Sequence, residues 1–144
     1  MGSGSVRNGV RFDFHGVTVM PDPALHLLRL WQAIGVLLIG FVVYLSLTPH
    51  PIEVPVEHGD KYGHVLAYAA LMFWFAQIYL GRLARIGWAI GFVAMGIGLE
   101  FLQRLTDYRT FEIADMIAGA CGVIIGWLAA PPRLPHALRY LEAL

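Results

Sequence analysis

Cysteine is almost missing from this chain of 144 residues: Cys121 stands alone, which excludes an intramolecular disulfide and any zinc cage built from thiolates. It lies in an apolar run and reads as a small packing residue. Charge is nearly as scarce. Only 14% of residues are charged, and ten basic side chains offset ten acidic ones, so no global field draws the chain to nucleic acid or to an acidic partner. A secretory signal is lacking as well, because the first apolar run is too long and no obvious cleavage site follows it. What remains is apolar: 58% of residues are hydrophobic, more than a soluble domain of this size can bury. The composition predicts an all-α polytopic membrane protein. The opening Met1-Gly2-Ser3-Gly4-Ser5 reads as a linker scar and is set aside.

Four apolar runs are expected to span a bilayer. Leu30 to Leu47 carries no charge and is bounded by Arg29 and by Thr48-Pro49-His50-Pro51, as a spanning helix requires. Val65 to Leu80 reaches a full span only if His64 and the residues before it continue the helix, which makes its outer turn polar. Ile86 to Leu99 must run on through Glu100 to Leu102 to cross a core of roughly 30 Å at about 1.5 Å per residue. The last run, about Ile113 to Ala130, is stopped by Pro131-Pro132 and carries Asp115 in its first turns. Residues 28–131 thus form the predicted four-helix transmembrane domain, and 132–144 a tail. Within the N-terminal segment, 6–27, alternation from Val6 to Val19 with Asn8-Gly9 and His15-Gly16 as turn signals allows a short hairpin.

Four crossings would place both termini and the second loop on one side. Arg7, Arg11, Arg29, Arg82, Arg85, Arg133 and Arg139 gather there, against Lys61, Arg104 and Arg109 opposite. The positive-inside bias makes that side, with both termini, cytoplasmic.

On the opposite side lie two polar sets. One is Glu53, Glu57, His58, Asp60, Lys61 and His64; the other is Glu100, Gln103, Arg104, Asp107, Arg109, Glu112 and Asp115. Counted from the cytoplasmic helix ends, His64, Glu100 and Asp115 share a depth of about 21 to 24 Å. An unpaired charge there costs on the order of a few kcal/mol, so these groups should face each other or a wet cavity. Asp60, His64 and Tyr68 at i, i+4 and i+8 align on one helix face. Ala114, Ala118, Gly122 and Gly126 make a ridge of small residues that lets a neighbour approach, with Gly87 and Gly91 as a matching groove on the third helix. Glu100 and Asp115 would then be close enough to share a proton if no cation lies between them, and Arg109 and Lys61 are the expected counter-charges.

These residues carry a resemblance. Asp60-Lys61-Tyr62-Gly63-His64 with Tyr68 a turn later, Glu100-Phe101-Leu102-Gln103, and Arg109 followed by Ala114-Asp115 and Gly122 are similar to the signature of the VanZ-like family, over roughly Leu30 to Ala130. One departure is Gly119, where the family often has asparagine. The resemblance implies a multi-pass protein of the bacterial cytoplasmic membrane, linked through the family's founding member to tolerance of the lipoglycopeptide teicoplanin. It implies no reaction and no cofactor.

Two active roles fit the residues. One is a binding site for membrane lipid or a lipid-linked envelope molecule, with Arg109, Lys61 and His64 meeting an anionic head while Asp60, Tyr68, Glu100, Gln103 and Asp115 complete the pocket. The alternative is an intramembrane enzyme in which Asp60, His64, Glu100 and Asp115 hold a metal or act as acid and base, although no metal motif stands out and no serine or cysteine is placed as nucleophile. A purely structural network fixing helix register competes with both, and Asp60 and Thr110 have a simpler reading as helix caps. Tyr62, Tyr68 and Tyr108 read more simply as interfacial belt residues, and the four tryptophans as packing and anchors. Four spans without an internal repeat leave little room for a transporter unless the chain forms a homo-oligomer through Gly122 and Gly126, a ridge that packing within one chain explains better.

Overall fold

The computed structural model describes residues 5–7, 10–12, 23–49 and 59–132. Two short strands, β1 (Ser5–Arg7) and β2 (Val10–Phe12), precede four helices: α1 (Pro23–Leu47), α2 (Gly59–Ile78), α3 (Arg82–Arg104) and α4 (Ile113–Ala129). The chain divides into two compact units, Met1–Ile34 and Gly35–Leu144.

In the first unit the strands pair antiparallel, Ser5 with Phe12 and Arg7 with Val10. The sequence allowed a short hairpin from Val6, and the pairing takes in Ser5 as well. His15-Gly16, Glu53, Glu57, His58 and the tail beyond Pro132 lie outside the described residues. Pro23 opens α1, where the missing N–H is one that a first turn leaves unpaired anyway.

All four predicted runs are helical. α2 begins at Gly59, so His64 and the residues before it do extend the run. α3 passes through Glu100 to end at Arg104. Two helices are long and apolar enough to cross a membrane, Leu25–Leu47 and Arg82–Arg104, while Ile113–Ala129 is apolar but shorter. An apolar core is joined here by apolar surface and buried charge. Large apolar side chains such as Leu37, Leu66, Ile90, Ile117 and Ile124 are exposed, whereas Arg85, Glu100, Gln103 and Asp115 are buried.

The second unit is organised by the approach of α4 to α2. A Cβ added at Gly122 would collide with the carbonyl oxygen of Val65, and one at Gly126 with that of Ala69. Helix backbone therefore lies on helix backbone, which only glycine permits. The small-residue ridge is thus used inside the chain. Its expected partner is corrected, however: nothing lies within 4 Å of a Cβ built at Gly87 or Gly91, so the groove is on α2 rather than α3. Ala114, placed on the ridge by the sequence, is exposed, and Asp115 takes its place on the buried face with Ala118, Gly119, Gly122, Val123 and Gly126. The spacing of three and four is helical, and the ridge simply starts one residue later.

Tyr68 fills the seam between three helices. Its ring lies against Gly119 of α4, and its hydroxyl against Gly96 of α3. At 1% exposure it is core, not an interfacial belt residue. Below it, Phe75 packs on Trp88 and Phe92 at ring-centroid distances of 4.1 and 5.3 Å.

Arg85 closes this end of the bundle. Its Nε donates to Tyr79 O at 2.9 Å, Nη2 to Ala76 O at 2.8 Å and Nη1 to Pro131 O at 2.6 Å. One guanidinium thus satisfies carbonyls that the ends of α2 and α4 leave without helical partners. The sequence marked Arg85 only as a basic residue; its capping role depends on the two helix ends meeting.

Gly122→Val and Gly126→Val are each expected to lower stability by about 1–3 kcal/mol or more, since the overpacked neighbour is backbone that cannot rotate away. Gly87→Ala and Gly91→Ala should leave it unchanged or slightly raised. Thermal unfolding in detergent, followed by far-ultraviolet circular dichroism, compares the four; equal effects would contradict the packing.

Candidate functional site

The antiparallel order of the helices brings the C-termini of α1 and α3 to the same end as the N-termini of α2 and α4. Acidic residues stand in the first turns of α2 (Asp60) and α4 (Asp115), and Arg104 in the last turn of α3. Each sign therefore faces the helix end that favours it.

His64, Glu100 and Asp115 converge from α2, α3 and α4, with one nitrogen or oxygen from each lying within 4.8 Å of the other two. His64 Nε2 stands 3.7 Å from Glu100 Oε1. The other ring nitrogen, Nδ1, is 3.0 Å from the Asp60 carbonyl oxygen one turn back. A carbonyl only accepts, so Nδ1 carries a proton, and in the neutral ring the lone pair is then on Nε2, the nitrogen that faces Glu100. The ring also stacks on Tyr68 with centroids 6.5 Å apart, as their shared helix face requires. Glu100, 2% exposed, uses Oε2 to accept the backbone N–H of Glu112 at 3.1 Å. Glu112 is the N-cap of α4 and offers no side-chain cap of its own. The entry to α4 is consequently fixed by a carboxylate from α3, and neither Thr110, which is exposed, nor Asp60, which lies inside the first turn of α2, caps its helix as the sequence allowed.

A second cluster adjoins the first through Asp115. Lys61 Nζ lies 2.8 Å from Glu112, 3.3 Å from Asp60 and 3.6 Å from Asp115. The expected counter-charge role of Lys61 is therefore met. That of Arg109 is not: its Nη2 donates to Leu45 O at 3.0 Å, and its Nε is buried with no hydrogen-bond partner among the described residues. Gln103 donates to Ser46 O at 2.7 Å, and Tyr108 to Leu47 O at 3.0 Å. Three successive carbonyls of the last turn of α1, which have no donors of their own in the helix, are thus held by residues from the end of α3 and the loop after it. Sequence spacing could not show this, because the partners are backbone atoms more than fifty residues away. Asp107 is exposed, and Arg104 lies over the Phe111 ring at 5.7 Å.

Between α1 and α2 runs a groove of about 430 Å³. Leu38, Phe41 and Leu45 line one wall and Leu66, Ala67 and Leu71 the other; Ser46, Asp60, His64, Gln103 and Arg109 form its polar end. Seven of the eight sequence-selected residues meet at this end: Asp60, Lys61, His64, Glu100 and Asp115 in the charged clusters, Gln103 and Arg109 at the α1 terminus. Tyr68 packs beneath them and also lines the groove. Gly119, where the family resemblance leads one to expect asparagine, is covered by the Tyr68 ring, so a longer side chain there would have to displace it.

The class of molecule is thus a helical protein, two of whose helices are long and apolar enough to cross a membrane, with buried carboxylates at one end of its bundle and a buried arginine at the other. Among known proteins the chain is similar to an uncharacterized protein of Schizosaccharomyces pombe, 28% identical over 99 residues, which make up 67% of this chain and 59% of that one. The chain therefore spans about three fifths of that relative's length. No family model matches the chain, and no solved structure does.

Gln103→Leu removes the donor from Ser46 O while keeping bulk. Leaving that carbonyl unpaired costs about 1–3 kcal/mol, and hydrogen exchange should accelerate in peptides covering residues 40–48 while those covering 113–129 stay protected. Uniform acceleration across both would show that Gln103 supports the whole bundle instead of the end of α1.

Proposed function

We propose that this chain is a VanZ-like protein of the bacterial cytoplasmic membrane, crossing it four times with both termini cytoplasmic, and that the groove between α1 and α2 binds an amphipathic lipid. The acyl chain lies along the apolar walls and the anionic head meets the polar end. The unspent buried Nε–H of Arg109 at that end is the observation that carries the reading. A guanidinium with one arm committed to Leu45 O and another donor without an acceptor is suited to a phosphate or carboxylate oxygen. An unsatisfied buried donor is costly, and an anionic ligand removes that cost.

Four crossings are supported by the apolar surface that all four helices expose. Leu66 on α2 and Ile117, Ile124 and Leu128 on α4 are about half exposed or more, as are Leu37 on α1 and Ile90 on α3. In water such surfaces would aggregate; in hydrocarbon they are solvated. The shortness of α4 and the polar first turns of α2 agree with an end that opens to the membrane surface. Arg82 lies at the opposite end of α3, as the positive-inside bias asks of a cytoplasmic loop. The similarity to a yeast protein favours a ligand chemistry that bacteria and eukaryotes share, an anionic head on an apolar tail; lipid-linked wall intermediates and teicoplanin both have that character. Binding such a molecule at the outer surface is the route by which the protein would contribute to teicoplanin tolerance.

Two measurements test the reading. Cysteines introduced one at a time as Glu57→Cys and Asp107→Cys in a Cys121→Ala background should both react with a membrane-impermeant maleimide added outside intact cells; labelling of only one removes the four-span topology. Ala67→Trp should fill the groove and reduce co-purified anionic phospholipid, measured by native mass spectrometry, at least tenfold, with the melting temperature kept. Arg109→Gln should cut it in the same direction. An unchanged lipid complement in Ala67→Trp would mean that the groove is not the binding site.

A further inference from the structure

The carboxylates at the polar end are not balanced by the cations beside them. Asp60, Glu100, Glu112 and Asp115 are all within reach of one another through Asp115, yet among the described residues the ammonium of Lys61 is the one lysine or arginine group within 4 Å of any of them. That ammonium sits in the Asp60, Glu112 and Asp115 cluster and serves as its cation. The His64, Glu100 and Asp115 cluster reaches that ammonium only through Asp115, at 3.6 Å, and among the described residues no lysine or arginine stands within 4 Å of Glu100. Its two carboxylates are the more deeply buried ones, and Asp115 Oδ1 is enclosed without a hydrogen-bond partner among the described residues. Buried anions in this position need either a proton or a cation.

The geometry points to a divalent metal ion held by His64 Nε2, Glu100 Oε1 and a carboxylate oxygen of Asp115. The separation of 3.7 Å between Nε2 and Oε1 is too long for a hydrogen bond. It is close to what two ligands of one ion require: donors about 2.0–2.2 Å from a tetrahedral centre stand roughly 3.3–3.6 Å apart. The imidazole is already prepared for it. The Asp60 carbonyl accepts from Nδ1–H, which selects the neutral tautomer whose lone pair is on Nε2, the arrangement by which outer hydrogen bonds orient metal-binding histidines. Glu100 is oriented in the same manner by the Glu112 N–H on its other oxygen. One nitrogen and two carboxylate oxygens suit Zn²⁺, Mn²⁺ or Fe²⁺, and three protein ligands leave a coordination position free. The site adjoins the groove through His64, which lines both, while Glu100 and Asp115 are not among the groove's lining residues, so the metal can be tested whatever fills the groove.

The test uses the full chain, without a histidine tag, purified in detergent, stripped with a chelator and dialysed against Zn²⁺, Mn²⁺ or Co²⁺ in turn, with bound metal measured by mass spectrometry. Wild type should retain about one equivalent of at least one of these ions, and Co²⁺ should show the intense visible absorption of a four-coordinate site. His64→Ala and Glu100→Gln should weaken retention by about tenfold to a hundredfold or more. Asp115→Asn, nearly isosteric, gives the same comparison should His64→Ala not fold, with circular dichroism as the check. Glu112→Gln should keep the metal, because that carboxylate is served by Lys61. The inference is overturned if wild type holds no stoichiometric metal, or if folded His64, Glu100 and Asp115 variants bind it as well as wild type. Loss in Glu112→Gln alone would place the ion in the neighbouring cluster and overturn it equally.

Discussion

The site exists because α2 and α4 can touch through their backbones. Asp115 is one helical turn ahead of Ala118 and Gly119 on the buried face of α4, and Gly122 and Gly126 continue that face onto Val65 and Ala69. With the two glycines against those carbonyls, the first turn of α4 is carried alongside the first turns of α2, where Asp60, Lys61 and His64 stand. A side chain at Gly122 would set its Cβ against the Val65 carbonyl oxygen and push the two helices apart. The carboxylate from α3 then joins because Glu100 ties the N–H of Glu112, holding the two helices together where α4 begins. Packing at the glycines and electrostatics at the charges are therefore one arrangement seen at two depths.

Helix ends explain how so many polar groups can be buried among apolar helices. An isolated helix leaves its first N–H groups and last carbonyls unpaired, and hydrocarbon offers them nothing. Here the two ends of the bundle solve this with different residues. At one end Arg85 gathers carbonyls from α2 and from Pro131 after α4. At the other, Gln103, Tyr108 and Arg109 take the last carbonyls of α1. Side chains that a composition count treats as charges are acting mainly as hydrogen-bond donors to backbone. Arg85 spends three donors this way and Arg109 one, which is why Arg109 retains capacity for another acceptor.

The sequence showed the helices and the side chains of the cluster because both follow from local rules. Apolar runs and proline stops mark the helices, and the alignment of Asp60, His64 and Tyr68 at a spacing of four needs only the helical repeat. What it could not show are contacts to backbone from far along the chain. Arg109 was read as a counter-charge since opposite charges attract wherever they are; the carbonyl of Leu45 that it binds carries no signature in sequence. The pairing of glycines failed for a related reason. Gly87 and Gly91 have the right spacing, but spacing cannot tell which of two neighbours a face meets, and those glycines face open space. Tyr68 was likewise misread as an interfacial residue, since a tyrosine near a helix end is usually at the interface, and only the gaps left by Gly96 and Gly119 give its ring a buried place.

His64 links the two proposals physically. One edge of its ring forms part of the groove between α1 and α2, and its Nε2 faces Glu100 and Asp115 behind that wall. The ring cannot turn freely, because Nδ1 is committed to the Asp60 carbonyl and its face lies along Tyr68. Whatever charge gathers on the carboxylate side is therefore felt at the polar end of the groove across a single imidazole. A divalent ion there would raise the positive potential where a ligand's anionic head would sit, adding to the Arg109 guanidinium instead of competing with it. Without such an ion the buried carboxylates would repel an anionic head, and Arg109 alone would have to overcome them. The favourable sign of the whole site for an anion thus depends on what neutralises Glu100 and Asp115.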